Sequence, residues 1–338
     1  MMDLFEPVHG CIVPDKLTLF SPVRDKMFFL PAFLAHYRKL GVEQFCFIND
    51  NSSDGSFEYM ARQDDCVVFR SGYSYGDQIR SGIGKKKLKR AGTVWKREFP
   101  LRYLGGQWAL YLDLDEFLHL PPGFATISAL IERIEATDTH SAPAVMVDFY
   151  PEWPADLAED VDAKTFEDLV VKYPYFDAEP HIDWPAGEKR PTEIYQGAVT
   201  RLFQTHGILA QHPAARWLPG ALKKIFPVPR RSNSTVFKVP LVKWKDGVCY
   251  EGSHRLNVPP NTDILLPIAH FKLTHDLVRK IDDALATRAY HARSVRYLGL
   301  KQLLDTMTRS GGSFLGPHSR RYAGSEAFTE CGLAKCDL

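Results

Sequence analysis

The stretch WALYLDLDEFLHLPP, Trp108 to Pro122, decides how the rest of the chain is read. It opens as an apolar strand and closes on a Pro-Pro stop, through which no central strand continues. Three carboxylates, Asp113, Asp115 and Glu116, stand in apolar surroundings where an unpaired ionised group is costly. Side chains alternate along a strand, so Asp113 and Asp115 are expected on one face, with Leu112 and Leu114 on the other. Two carboxylates sharing a face at a strand end suit a hard divalent cation, Mn²⁺ or Mg²⁺, which relieves their repulsion and leaves positions for phosphate oxygens. In open α/β sheets ligands gather at the carboxyl ends of strands, and the D-L-D group sits just before its strand stops.

Upstream, Lys16 to Val23 reads as a first strand. A helix follows with apolar residues at Leu30, Phe33, Leu34, Tyr37 and Leu40, ending at Gly41. Gln44 to Asp50 is a second strand, and Ser53 or Asp54 is placed to cap the short helix SFEYMARQ. Cys66 to Ser71 is a third strand. This alternation predicts an α/β fold with a Rossmann-like mixed, mainly parallel sheet flanked by helices.

The following GYSYGDQIRSGIGKKKLKRAG is expected to be a long loop. Its basic cluster, Lys85 to Arg90, fits a solvated surface, a flap over a phosphate ligand or a patch for anionic lipid or glycan. Ala142 to Tyr150 is a strand, and Pro- and Trp-rich irregular sequence runs to Thr192. AVTRLFQ, LVKW and DILLPIAHFKL read as later strands. From Asp276 the pattern is helical, with Leu277, Ile281, Leu285, Ala292, Val295 and Leu298 on one face. Arg279, Lys280, Arg288, Arg293, Arg296 and Lys301 lie opposite. Such a helix either docks its stripe on the main domain or makes peripheral membrane contact. The expected division is 1–150, 151–275 and a C-terminal helical extension, 276–338.

Among 338 residues, 45% hydrophobic and 25% charged, the net charge is +1. No whole-molecule field favours nucleic acid or membrane. The six cysteines form no C-x-x-C pair and read as free thiols, with Cys331 and Cys336 close enough in sequence to pair or bind metal. The start MMDLFEPVHG lacks a basic and an apolar signal region, and no apolar run approaches about 18 residues. A cytoplasmic chain, with the inner face of the membrane as an alternative, is the expectation.

Several segments resemble, in order, a nucleotide-sugar-dependent glycosyltransferase of the GT-A fold, in the family 2-like group carrying LDxDEFL. LPAFLAHYRKLGVEQFCFINDNSSDGS resembles the family's opening, and WALYLDLDEFL its metal motif. YFD (Tyr175 to Asp177), GAVTRLF (Gly197 to Phe203), KVPLVKW (Lys238 to Trp244), GSHRL (Gly252 to Leu256) and AHFKLTHD (Ala269 to Asp276) resemble its later markers. The resemblance implies a metal-dependent transfer, with inversion, from a nucleoside diphosphate sugar to a hydroxyl of a glycan or glycolipid. By that likeness Asp50 reads the base or ribose, Asp113 serves ribose and metal, Asp115 serves metal, and Arg24 contacts the nucleotide. Glu116 is left between orienting a ligand and forming a salt bridge. The chain departs from the family at VRDKM, where Lys26 replaces an acid.

Such enzymes often add a late histidine to the metal, for which His270 and His254 are the candidates. Lys272, on the same strand face as His270, would meet the diphosphate. The acceptor's general base is sought among Asp177, Glu152 and Glu251, and Trp153, Trp184 and Trp217 offer faces for sugar stacking. Two rival functions are a nucleotidyltransferase making nucleotide sugars, disfavoured because SPVRDKMFFLP lacks a glycine-rich phosphate loop, and a catalytically degenerate GT-A module that binds a glycan or partner.

Overall fold

The structure is a computed structural model and describes residues 3–80, 88–159, 161–208, 235–252, 254–287 and 295–338, the Val295 side chain excepted. In chain order the elements are β1 (Glu6–His9), β2 (Thr18–Val23), α1 (Leu30–Lys39), β3 (Gln44–Asn49), α2 (Ser56–Ala61), β4 (Cys66–Arg70), β5 (Gln78–Arg80), β6 (Leu88–Arg90), α3 (Ala91–Tyr103), β7 (Trp108–Tyr111), β8 (Glu116–Leu118) and α4 (Ile127–Glu135). Then come β9 (Ser141–Tyr150), α5 (Phe166–Lys172), β10 (Tyr175–Asp177), β11 (Ile182–Asp183), β12 (Thr192–Glu193), α6 (Gly197–Thr205), β13 (Phe237–Lys243), β14 (Ile264–His270), α7 (Asp276–Thr287), α8 (Val295–Ser310), β15 (Ser319–Arg321), α9 (Glu326–Glu330) and β16 (Lys335–Cys336).

The sheet is mixed and flanked by helices. Its order runs β1-β4-β3-β2-β7-β13-β9-β10-β15, with β14 beside β9 and pairing β8 and β16. Strands β4, β3, β2 and β7 are mutually parallel, as are β14 and β9; β13 is antiparallel to both β7 and β9. From β2 the chain steps outward through β3 and β4, then returns to place β7 on the other side of β2. The direction of winding therefore reverses between β2 and β7, the point at which open α/β sheets form their binding crevice, at the carboxyl ends of the strands.

Each face carries its own core. On one face α1 lays down Leu30, Phe33, Leu34 and Tyr37. On the other, Trp95 and Phe99 of α3 pack with Phe20, Tyr111 and Trp244. Tyr37 fixes α1 in register: its hydroxyl donates to the Glu116 carbonyl and accepts from the Leu118 amide, both at 2.8 Å.

Three expectations need correction. GAVTRLF is helix α6 and not a strand, because its apolar residues fall at helical spacing and bury Val199, Leu202 and Phe203 together. The loop after β4 contains a hairpin, β5 with β6, so Leu88 to Arg90 is strand while Lys85 to Lys87 lie outside the described residues. Leu298 is exposed on α8 and so is not part of the apolar stripe, whose members Leu277, Ile281 and Leu285 pack on the core, while Ala292 and the Val295 side chain lie outside the described residues. The six cysteines are free, as the sequence reading has them, so Cys331 and Cys336 form no pair. The extension from 276 also supplies sheet edges, β15 on β10 and β16 on β14. Among the described residues no helix is long and apolar enough to cross a membrane.

Under β8 two histidines sit in an aromatic cluster. The rings of His36 and His119 lie 5.6 Å apart, and both touch Phe166. His36 Nε2 donates to the Leu118 carbonyl. Burial pushes His36 down to about 4 and His119 well below its ordinary value. Both are neutral when folded and protonate in the unfolded chain. Their contribution is therefore complete above about pH 6.5 and is lost as pH falls toward 4, at ~1.4 kcal/mol per unit of depression. Denaturant unfolding at pH 7.5 and 5 is expected to show this loss, and His119→Phe should flatten it.

Candidate functional site

The loops leaving β2 and β3 are tied together before any ligand is considered. Asp25 and Asn51 take positive φ, 49° and 55°, a conformation Asp and Asn tolerate best. Asp25 accepts from the Ser53 amide, and its own amide donates to Ser52 Oγ. Asp54 accepts from the amides of Met27 and Ser56 and ties the start of α2 to the β2 loop, although the N-cap position itself is Gly55, not the expected Ser53 or Asp54. In this frame Asp50 leaves β3 nearly buried. Its Oδ2 accepts from the Tyr75 amide at 3.1 Å and faces an Arg24 nitrogen at 3.8 Å. Its Oδ1 is buried with no hydrogen-bond partner among the described residues. Burial raises this carboxyl above its ordinary value, with Tyr75 and Arg24 opposing.

The D-L-D group is not on a strand. β7 stops at Tyr111, and Asp113 to Asp115 form a turn, closed by the Glu116 amide on the Asp113 carbonyl, before β8 begins. Alternation therefore does not place the two acids; the turn does. Tyr111 donates to Asp113 Oδ1 at 2.7 Å. Two fully or nearly buried lysines flank the same carboxylate, Lys238 at 3.7 Å and Lys96 at 3.8 Å. Lys238 also pairs with Glu116 at 2.5 Å and lies 4.1 Å from the centre of the Tyr111 ring. Asp115 meets Lys280 of α7 at 3.3 Å. Burial would raise both aspartates, but Lys238 and Lys96 hold Asp113 well below the carboxylate range, and Lys280 and Lys26 do so for Asp115. Glu116 thus takes the salt-bridge role, and its Oε2 also accepts the Asp113 amide.

At the end of β14, His270 Nδ1 donates to Asp148 Oδ1 at 2.8 Å. The other oxygen of Asp148 faces the first turn of α6, where the Val199 amide points at it from 3.4 Å. One carboxylate thus orients His270 and complements a helix N-terminus. The Phe271 amide donates to the Asp115 carbonyl, which brings His270 and Lys272 beside the D-L-D turn. Burial, together with Arg296, lowers Lys272 to about 7. His254 donates Nδ1 to the Phe237 carbonyl. Burial and the ammoniums of Lys238 and Lys96 push it down to about 3, so it is neutral.

Among the described residues, no three His, Cys, Asp or Glu side chains gather as a metal site. The expected set of Asp113, Asp115, His270 and His254 does not fit a divalent ion here, because ammonium groups occupy the sides of both aspartates. The expected bases separate as well. Asp177 is wholly buried and saturated: Arg201 grips both oxygens at 2.9 and 3.0 Å, and the hydroxyls of Tyr150 and Tyr195 donate to it at 2.5 Å. It is a framework acid. Glu251 pairs with Arg255 at 2.9 Å. Glu152 follows β9 half-buried, its carboxylate in no hydrogen bond or ion pair with any described residue; its carbonyl accepts from Phe314 and Ser313. Trp153 beside it is exposed, Trp184 packs edge-on to Phe237, and Trp217 lies outside the described residues.

Helix α7 closes over these loops with charged side chains. Asp276 pairs with Lys26 at 2.8 Å, Arg279 donates to the Asp25 carbonyl, and Asp283 lies 3.7 Å from Arg24. Lys26, placed where the resembled family has an acid, is thereby compensated by Asp276. Sequence reasoning gave no site role to Lys96, Lys238, Asp148 or Asp276, and it took Lys280 for a surface charge. The available signal was a lone lysine within an apolar strand, FKVPLV, since lysine is almost never fully buried without a partner.

No family profile and no curated protein matches the chain. Among solved structures, a UTP-bound UGPase from Acinetobacter baumannii is similar at 10% identity over 94% of this chain and 92% of that one, with a TM-score of 0.28. A UDP-glucose pyrophosphorylase from the same organism is similar at 12% identity over the same shares, with a TM-score of 0.26. Likenesses this slight say nothing about what this chain binds.

A framework acid and a catalytic acid respond differently to substitution. Arg201→Met leaves Asp177 buried without its cation and should cost roughly 3–5 kcal/mol in denaturant unfolding. Replacing an exposed catalytic pair would cost far less.

Proposed function

We propose that the chain binds a nucleoside diphosphate sugar at the carboxyl ends of β3, β2 and β7 and transfers its glycosyl group to a hydroxyl of a glycan or glycolipid. The observation that carries this reading is Asp50. It is a buried carboxylate with one oxygen unpartnered among the described residues, held in the crevice where the sheet reverses direction, two strands from the D-L-D turn. A base N–H or a ribose hydroxyl would satisfy that oxygen, which otherwise keeps an uncompensated desolvation cost. The ordered motifs that resemble the GT-A group support the same assignment.

In the proposed reaction an acceptor oxygen attacks the anomeric carbon while the bond to the diphosphate breaks, its electron pair leaving on the diphosphate oxygen. Lys280 and Lys272, beside the D-L-D turn, stabilise that developing charge. The acceptor proton passes to a carboxylate, and Glu152 is the candidate among the three expected bases that is not already engaged by a cation. Trp153, exposed next to it, offers a ring face to the acceptor sugar. Attack from the side opposite the diphosphate inverts the anomeric centre.

Two measurements test this. Calorimetric titration with UDP, GDP and CDP is expected to find one that binds, and Asp50→Asn should weaken it by about ten-fold or more, the worth of a hydrogen bond to a charged group. With donor and acceptor identified, Glu152→Gln should lower kcat by roughly 10²–10⁴ while donor affinity stays the same. Release of pyrophosphate from a nucleoside triphosphate and a sugar phosphate would instead make the chain a nucleotidyltransferase.

A further inference from the structure

The charges at the D-L-D turn balance without any added ion. Three acids, Asp113, Asp115 and Glu116, face three ammoniums, Lys96, Lys238 and Lys280. Two of these cations cannot leave. The Lys238 side chain is 0% exposed and that of Lys96 is 3% exposed. Lys238 is held by Glu116, and both ammoniums lie against the Tyr111 ring, at 4.1 and 4.6 Å from its centre. Tyr111 in turn spends its hydroxyl on Asp113 Oδ1, the oxygen nearer Lys96. A divalent ion placed on Asp113 would meet two fixed positive charges and an acid whose own charge is already compensated.

Lys280 differs from the buried pair. It comes from α7, its side chain is 26% exposed, and it meets Asp115 at 3.3 Å, near enough to Lys272 to act on its charge. A partly exposed ammonium can meet a phosphate oxygen as a compact point charge on a flexible stem.

We infer that this chain holds its nucleoside diphosphate without a bridging divalent ion, Lys280 standing against the diphosphate where a metal would otherwise bridge it to the D-L-D turn. The inference rests on the donor-site reading above. Asp113 and Asp115 then serve to position ammonium groups, and the lysines, not a metal, set the affinity for the diphosphate.

The test is calorimetric titration of UDP, GDP and CDP into the full chain, in EDTA and then with Mn²⁺ at matched ionic strength, alongside Mn²⁺ alone followed by its electron paramagnetic resonance. The expected result is one nucleotide bound with the same affinity in both buffers and no stoichiometric Mn²⁺ binding. Lys280→Met should weaken that nucleotide about ten-fold or more and Lys280→Arg should largely restore it, as loss and retention of a charged hydrogen bond require. Binding that appears only with Mn²⁺, or stoichiometric Mn²⁺ binding abolished in Asp113→Asn/Asp115→Asn, overturns the inference and leaves the donor reading standing. If no nucleoside diphosphate binds in either buffer, both fall. The comparison of buffers uses the unaltered chain, so it decides the matter even if a Lys280 variant fails to fold.

Discussion

The buried ammonium of Lys238 is the charge around which this molecule is arranged. It lies in β13, an interior strand of the sheet, where an ammonium without partners could not remain ionised. Glu116, at the first position of β8, meets it at 2.5 Å and also receives the Asp113 amide. The same contact therefore joins β13 to β8, bends the chain between β7 and β8, and aims Asp113 outward. Removing either partner would strand a charge in the core, which costs more than the pair contributes when intact. Tyr111, Lys96 and Asp113 follow from that pair as the residues that complete its shell.

Asp148 has a comparable role on the neighbouring strand β9. With one oxygen toward His270 and the other toward the first turn of α6, it fastens a helix, a histidine and two parallel strands at the same edge of the sheet. Gly197, with φ of 78°, begins α6 there because a side chain would crowd Asp148, whose Oδ2 would lie 3.1 Å from its Cβ. These side chains settle their charges within the protein, while Asp50 keeps one buried oxygen without a hydrogen-bond partner among the described residues.

Local pattern carried the first half of the fold. Helical spacing in LPAFLAHYRKLG and the short apolar runs of β2, β3 and β4 were legible because propensity, periodicity and burial agree there. GAVTRLF misled because a short run with β-branched and aromatic members reads equally well as strand or helix, and only packing against β9 and α8 decides. The D-L-D group was read as part of a strand and is a turn between β7 and β8. A turn of two or three residues between apolar strands leaves little trace in the pattern. Asp177 resembled a reactive acid because sequence shows a carboxylate but not the Arg201 that grips it, 24 positions later. The lysines at the site were hidden for the same reason: ion pairs across 122 and 165 positions have no periodicity.

The contact between Asp115 and Lys280 also sets an order of events during synthesis. The parallel strands and the D-L-D turn are encoded early, but the cation facing Asp115 is translated 165 residues later. At roughly 5–20 residues per second this is a delay on the order of ten seconds or more. Throughout that interval the nascent chain holds an acidic turn that lacks its closing helix. The D-L-D turn takes its finished charge only after β13 and β14 have joined the sheet and α7 has left the ribosome.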